Sequence, residues 1–274
     1  MVIQHNISAL NSYRNLSINQ NALSKNLEKL SSGYKINRAA DDAAGLAISE
    51  SMRSKINGLT QAEANANDAV GLIQTEEGAL TETHSMLQRM TTLATQAANG
   101  TYSEKDEGKT ARSSIQAEMD ELAQEITRIA TSTTYNGLSP LNNTSKVQLQ
   151  IGPTSKEILN VTGQVMTATA LKVTGLSMTT VSKANSAITT IKQAINTVSG
   201  YRATLGAKQN RLEHTINNLR VTNENVTAAE SRIRDTDMAK EIAAYTKNSV
   251  LQQAAQSMLA QANQTPQGVL SLLQ

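Results

Sequence analysis

The sequence predicts a mainly α-helical protein: long antiparallel helices forming a rod-like helical bundle, a small β-hairpin region in mid-chain, and terminal helices that pair as a coiled coil. Three observations carry that prediction. Seven apolar residues at strict seven-residue intervals, Ile191, Val198, Leu205, Leu212, Leu219, Val226 and Ile233, draw one seam along the second half of the chain, and a heptad of that length specifies a long helix lying against other long helices. The three prolines, Pro140, Pro153 and Pro266, leave residues 1–139 and 154–265 free of the strongest helix breaker. Finally, 274 residues with no Phe, no Trp and six Tyr lack large aromatic core blocks, so the core must be aliphatic and thin.

The first helix is set by Ile3, Ile7 and Leu10, continued by Leu16, Gln20, Leu23, Leu27, Leu30 and Tyr34 at spacings of four and three, with Gly33 as its stop. Residues 33–43 carry no clean period and read as a linker, where Asp41 and Asp42 are placed to cap the next helix. A second helix runs from about Ala44 to Asn99 on the heptad Leu59, Ala66, Ile73, Leu80, Leu87 and Ala94, with companion positions Ala62, Ala69, Glu76, Thr83, Met90 and Ala97. A third spans about 110 to 130 through Ile115, Met119, Leu122, Ile126 and Ile129. Between 138 and 180 the period shifts towards two, as in Val147, Leu149 and Ile151, with Gly and Pro punctuation, which predicts short hairpins.

The helix of the opening heptad spans about 181 to 234, roughly 80 Å at about 1.5 Å per residue. Its companion positions are Ile188, Ile195, Arg202, Gln209, Ile216, Asn223 and Glu230, so one edge of its seam is partly polar, as Glu76 and Thr83 make one edge of the other long helix. Either these side chains reach solvent at the seam's margin, or antiparallel pairing brings the polar edges together, which for level helices sets Glu76 near Arg202. The last helix, about 238 to 262, stacks Val250, Ala254, Met258 and Ala262 beside Leu251, Ala255 and Leu259, and Pro266 with Gly268 is expected to interrupt it before the apolar end Val269 to Leu273. Two domains are expected: residues 1–43 with 235–274 as an inner terminal coiled coil plus linkers, and 44–234 as an outer helical rod carrying the hairpins. Both ends carry apolar helix faces with too little neighbouring chain to cover them, and such stripes mark partner sites.

Formal charge is +2, with Lys and Arg scattered among Asp and Glu, so the basic stripe of a nucleic-acid binder is absent. Zero cysteines exclude a disulfide framework and thiol chemistry. No stretch approaches the roughly 18 consecutive apolar residues of a membrane span, and the start MVIQHNISALNSYRN lacks a basic region followed by an apolar one, so export, where it occurs, is expected without a cleaved signal peptide. His5, His84 and His214 are isolated, with no zinc motif beside them, and no phosphate-cradling glycine loop occurs. The adjacent carboxylates Asp41-Asp42 and Glu76-Glu77 diverge if helical, which suits caps and solvated faces better than acid-base work. The methionines at helical spacings, including Met86, Met90, Met119 and Met258, read as adaptable packing. No catalytic, metal or cofactor site is predicted, and no enzyme.

Two blocks carry a resemblance. LSSGYKINRAADDAAGLAISESMRSKINGL, from Leu30 to Leu59, resembles the N-terminal signature of bacterial flagellins, and RIRDTDMAKEIAAYTKNSVLQQAAQSMLAQANQTPQGVLSLL, from Arg232 to Leu273, resembles their C-terminal one. LQRM at 87–90, SIQAE at 114–118 and QIGPTSKE at 150–157 extend the likeness, and the large variable insertion near the middle is missing, so the chain resembles a minimal flagellin. The resemblance implies a subunit that polymerises into the extracellular flagellar filament, the motility propeller, with a hook-filament junction protein of the same secretion system as the alternative. It implies self-assembly through Ile3, Ile7, Leu10, Leu16, Leu23, Leu27, Leu30, Met238, Ile242, Val250, Leu251, Met258, Leu259, Leu270, Leu272 and Leu273. The rod seam is expected on Leu59, Ile73, Leu80, Leu87, Leu205, Leu212, Leu219, Val226 and Ile233. Implied partners are an export chaperone, cap and hook-junction proteins, and an innate Toll-like receptor reading Gln88, Arg89, Met90, Leu93, Gln96 and Glu118. Thr91 and Thr92 stand where strongly stimulating members carry Arg and Glu, which predicts weakened receptor engagement.

Overall fold

A computed structural model describes residues 6–102 and 106–272, with the backbone alone for 106–107 and 266–272. In order along the chain run α1 (Ile7–Ser32), α2 (Ala43–Ala97), α3 (Asp106–Ser132), β1 (Lys146–Gln150), β2 (Ile158–Thr162), α4 (Val181–Arg234) and α5 (Met238–Leu272). Two compact units result: a terminal unit of residues 1–56 and 224–274, and a central unit of 57–223. The divisions fall within α2 and α4.

In the central unit α2 and α4 run antiparallel, as successive cross-links show: Arg220 Nε to Glu63 Oε1 at 2.6 Å, Asn223 Nδ2 to Thr60 Oγ1 at 3.2 Å, and Arg202 Nη2 to Glu77 Oε1 at 3.4 Å. Helix α3 lies antiparallel to α2, tied by Arg89 to Glu118 at 2.7 Å and by Arg112 Nε to the Ala97 carbonyl at 3.2 Å. Both predicted rows of α2 are buried, Leu59 to Ala94 and Ala62 to Ala97 alike, as are Ile191, Val198, Leu205, Leu212 and Leu219 on α4. Helix α3 is longer at both ends than its apolar pattern. Mid-chain there is one hairpin, with β1 antiparallel to β2 in the register Val147 opposite Val161 and Leu149 opposite Leu159. It is pinned to α2 by Asn65 Nδ2, which donates to the Gln150 carbonyl at 3.0 Å, and its inward Leu159 and Val161 join the core. Residues 163–180 continue as irregular chain, Met166, Leu171, Val173 and Met178 dropping into the same core.

Three expectations about the seam are corrected. The second buried row of α4 is Ala187, Ala194 and Tyr201, while Ile188, Ile195, Arg202 and Gln209 are only half-buried. Alanines hold two of those three positions, which a scan for large apolar residues passes over; of the expected companion series Ile216 is buried. Glu76 and Thr83 do not reach solvent: they are 0% and 2% exposed. Nor does Glu76 meet Arg202, which pairs with Glu77 one residue on; Glu76 Oε2 accepts instead from the Tyr201 hydroxyl at 2.8 Å. That hydroxyl also lies 3.2 Å from the Thr162 carbonyl, so α2, α4 and β2 meet at one buried polar point. Burial pushes the Glu76 carboxyl above the usual carboxylate range, against the opposing pull of Tyr201 and of the Lys208 charge. Burial and the Glu76 charge hold the Tyr201 phenol far above its own.

Helix α5 corrects another. Pro266 and Gly268 do not interrupt it; the helix continues to Leu272. A prolyl nitrogen has no hydrogen to give the carbonyl four residues back, here Ala262. That carbonyl is satisfied from elsewhere, by Thr265 Oγ1 at 2.8 Å and by Asn6 Nδ2 at 2.8 Å.

Candidate self-assembly surface

The terminal unit is built on α1 packed antiparallel to α5. Asn6 caps α1 through Oδ1, which accepts from the Ala9 amide at 3.0 Å, while its Nδ2 serves Ala262 on α5. One residue thus fixes one end of the pair. At the other end Gly33 is the stop expected of it, in the left-handed conformation at φ +76°, and its amide closes on the Lys29 carbonyl at 2.9 Å. The chain then runs beside the α4–α5 junction: Lys35 N donates to the Arg234 carbonyl at 2.7 Å and Thr236 N to the Gly33 carbonyl at 2.9 Å. The Arg234 guanidinium sits 4.8 Å over the Tyr34 ring and bonds Glu50 at 2.6 Å. That bond holds the Glu50 carboxyl below its usual range.

Of the two aspartates expected to cap, only Asp42 does so, accepting from the Gly45 amide at 2.9 Å. Asp41 closes the preceding turn, its Oδ2 accepting from the amides of Asn37 and Arg38, and backbone hydrogen bonding from Arg38 lowers its pKa. Gly45 sits where a side chain would strike Ile36 and Asp42, 2.8 Å and 2.4 Å from a Cβ, so Ile36 can be buried against the start of α2.

The face that α1 turns to α5 combines two heptad rows. Ala9, Leu16, Leu23 and Leu30 form one; Ser12, Asn19 and Asn26 form the other, all half-buried. Gln20 and Leu27, read as seam residues from their spacing, are exposed instead. Hydrophobic periodicity is blind to asparagine, so it does not register the polar row. Asn26 nevertheless has a full set of partners, with its amide oriented to donate to the Glu241 carboxylate at 3.0 Å and the Ala22 carbonyl at 3.1 Å. It accepts from the Tyr245 amide at 3.2 Å and Asn248 Nδ2 at 3.0 Å.

Such a seam covers little. Helix α1 contains no buried residue. Of the expected assembly residues, Leu16, Leu23, Leu30 and Leu259 are half-buried, whereas Ile7, Leu10, Leu27, Met238, Ile242, Val250, Leu251 and Met258 are exposed, Ile7 by 67% and Met258 by 63%. Tyr13 and Ile18 join them, at 65% and 58%. They fall off the row of spacings that defined the helix, so a single-face reading misses them. Ile3 and Leu273, and the side chains of Leu270 and Leu272, lie outside the described residues.

On the central unit Gln88, Arg89, Gln96 and Glu118 are exposed, the Arg89–Glu118 pair joining α2 to α3. Met90 and Leu93, expected with them, are 0% and 2% exposed and belong to the core beneath. The rod-seam residues Leu59, Ile73, Leu80, Leu87, Leu205, Leu212 and Leu219 are core; Val226 and Ile233, in the terminal unit, are only half-buried. Among the described residues no group of three His, Asp or Glu converges to hold a metal, and no described helix is long and apolar enough to cross a membrane.

Comparison with known proteins accounts for both halves of the chain. The bacterial flagellin N-terminal helical region matches residues 3–146, and the bacterial flagellin C-terminal helical region matches 188–273. The chain is 50% identical to a flagellin of Halalkalibacterium halodurans and 48% identical to one of Bacillus subtilis, in each case over the full length of both. It is also similar to the crystal structure of Bacillus cereus flagellin, at 32% identity and a TM-score of 0.50, over 57% of this chain and 88% of that one. With both helical regions present, in order and separated by a single hairpin and its irregular continuation, the chain belongs to the bacterial flagellin family, the subunits of the flagellar filament.

Proposed function

We propose that α1 and α5 form the polymerisation surface of this filament subunit, their exposed apolar residues being covered by the same helices of neighbouring copies. One observation carries it: of fifteen large hydrophobic side chains left exposed among the described residues, ten lie on α1 and α5. Burying about 1,000 Å² of apolar surface contributes roughly 25 kcal/mol before the entropy of association is subtracted, so a partner of matching shape is the natural sink. A second copy fits better than an unrelated partner because the exposed residues recur on both helices of one antiparallel pair, and stacking copies extends that pattern. Purified full-length protein polymerised in solution and viewed by electron microscopy tests this. Leu27→Asp with Val250→Asp is expected to leave a folded monomer, by circular dichroism, that grows no filaments. Filaments at an unchanged critical concentration would overturn the assignment. Labelling confined to the hook boundary on cells would replace the filament subunit with a hook-filament junction protein.

The same reading places the export chaperone on the C-terminal helix, cap and junction proteins at filament ends, and export without a cleaved signal peptide. It places an innate Toll-like receptor on the surface of Gln88, Arg89, Gln96 and Glu118, with Met90 and Leu93 acting from beneath by packing. Weakened engagement is supported by Thr91 and Thr92, whose hydroxyls donate to their own helix, to the Leu87 and Gln88 carbonyls at 3.0 and 3.2 Å, and offer the receptor no charge. Receptor binding by soluble monomer, compared with Thr91→Arg/Thr92→Glu, is expected to rise in the variant; equal affinity removes that reading.

A further inference from the structure

A cavity of about 410 Å³ in the central unit lies between α3 and the segment leading into α4, lined by Lys109, Arg112, Ser113, Gln116, Thr179 and Thr180. Arg112 is 2% exposed, yet its partners among the described residues are two backbone oxygens, Ala97 O at 3.2 Å and Asn99 O at 3.5 Å, and its buried Nη1 has no hydrogen-bond partner among them. A buried guanidinium with a bare nitrogen is costly, and such groups are ordinarily completed by a carboxylate. Among the described residues no carboxylate pairs with Arg112 or with Lys109, and none lines the cavity.

The opposite wall is built rather than loose. Gln116 Nε2 donates to the Leu176 carbonyl at 2.7 Å and its Oε1 accepts from the Met178 amide at 2.7 Å, fixing the segment that presents Thr179 and Thr180. Thr180 caps α4, accepting from the Lys183 amide at 3.3 Å, so the cavity also lies at the positive end of a 54-residue helix. Two cations, the unbonded hydroxyl of Ser113 and a helix N-terminus make a set that favours an anion. Threonine methyls and the lysine stem give the remaining wall an apolar character.

We propose that this cavity binds a small organic carboxylate with an aliphatic body, its charge set against Arg112 and Lys109 and one oxygen accepting from Ser113. The proposal is independent of the assembly surface, since every residue in it belongs to the central unit.

The test is a titration of isotope-labelled full-length monomer followed by amide chemical shifts, with three probes: hexanoate, 1-hexanol and inorganic phosphate. Hexanoate is expected to shift residues 109–116 and 179–183 saturably, with a Kd on the order of 1 mM, as befits so small a ligand. Hexanol and phosphate, each lacking half the chemistry, are expected at least about tenfold weaker at those residues. Arg112→Met is expected to abolish the hexanoate response. Because a buried substitution can unfold its surroundings, Ser113→Glu supplies the second arm: an exposed residue on α3, it keeps the fold and sets a carboxylate in the mouth of the cavity. Equal shifts from hexanol, equal shifts from phosphate, no saturable response, or an undiminished response in Ser113→Glu would each overturn the proposal.

Discussion

Helix α1 has no buried residue, while α4 has ten, every one of them in the central unit. Both obey the same three-four spacing, so periodicity does not separate them; the supply of neighbours does. In the central unit α2, α3, α4 and the hairpin surround a common core, and the aliphatic rows close on it. In the terminal unit α1 has α5 alone, and the row it offers is half asparagine and serine. The heptad of α4 shows the contrast within one helix: Leu205, Leu212 and Leu219 are buried, while Val226 and Ile233, in phase with them, are only half covered. A sequence pattern therefore specifies a face, and only the number of chains around it decides whether that face is dry.

The sharpest way to break this comparison is to cut the same side chain in each unit. Leu80→Ala opens a fully buried site and is expected to cost the monomer about 3–5 kcal/mol, while Leu27→Ala, 48% exposed, is expected to cost less than about 0.5 kcal/mol. Urea unfolding of the monomer measures both. The order must invert in assembly, where Leu27→Ala raises the critical concentration. Comparable losses in the monomer would mean that α1 is covered after all.

Next in size is the buried contact of Glu76 with Tyr201. Tyr201→Phe removes the hydroxyl that reaches Glu76 and is expected to cost about 2 kcal/mol at neutral pH, since a buried carboxylate then lacks its donor. The pH dependence has a definite sign. Burial raises the Glu76 pKa in the folded state, so the folded chain holds the proton longer; this contribution is complete below the unfolded value near 4.5 and is lost as pH rises through the folded one. The groups acting on Glu76 are Tyr201 and Lys208 from α4, and the Tyr201 hydroxyl in turn lies 3.2 Å from the Thr162 carbonyl of β2. Glu76→Gln is expected to flatten the decline and to gain about 1 kcal/mol at neutral pH. Stability that rises with pH in the parent chain, relative to this variant, contradicts the assignment.

Much of this architecture is legible in the sequence because long heptads are a strong signal: the order of helices, the thin core and the Leu59-to-Ala94 row of α2 come directly from residue spacing, whereas the burial of Glu76 and Thr83 in the second row does not. The parts that are not legible share a cause. The alanine row of α4 and the Asn19–Asn26 row of α1 pack through small or polar groups that no hydrophobic count detects. The carbonyl that Pro266 orphans is satisfied by its neighbour Thr265 and also by Asn6, 256 residues away in sequence, and no local pattern carries the second contact. Met90 and Leu93 share a motif with exposed neighbours, yet their helical phase, common to the core row, places them inside.

Asn6 offers a smaller test of the terminal unit. Asn6→Ala deletes both the cap of α1 and the donor to Ala262, and an N-cap deletion typically costs about 1 kcal/mol. The loss is expected in amide exchange near residues 7–10 and 262–265, with the central unit's exchange unchanged. Asn6→Asp retains the cap acceptor but not the amide donor, so it is expected to restore protection in α1 alone. Recovery at both places would show that the Ala262 bond contributes nothing.

The smallest expected effect lies on the central unit's surface. Arg89 and Glu118 are joined at 2.7 Å with side chains 54% and 44% exposed, and exposed pairs contribute little because solvent and salt screen them. Glu118→Gln is therefore expected to move the thermal midpoint by no more than about 2 °C, and by still less in high salt. The pair's geometry links α2 to α3, but those helices are already held by Met90, Leu93, Ile115 and Met119 beneath it. Should Glu118→Gln prove as costly as Leu80→Ala, the core would not be what joins α2 to α3, and the contrast between a self-sufficient unit and an unfinished one would lose its physical basis.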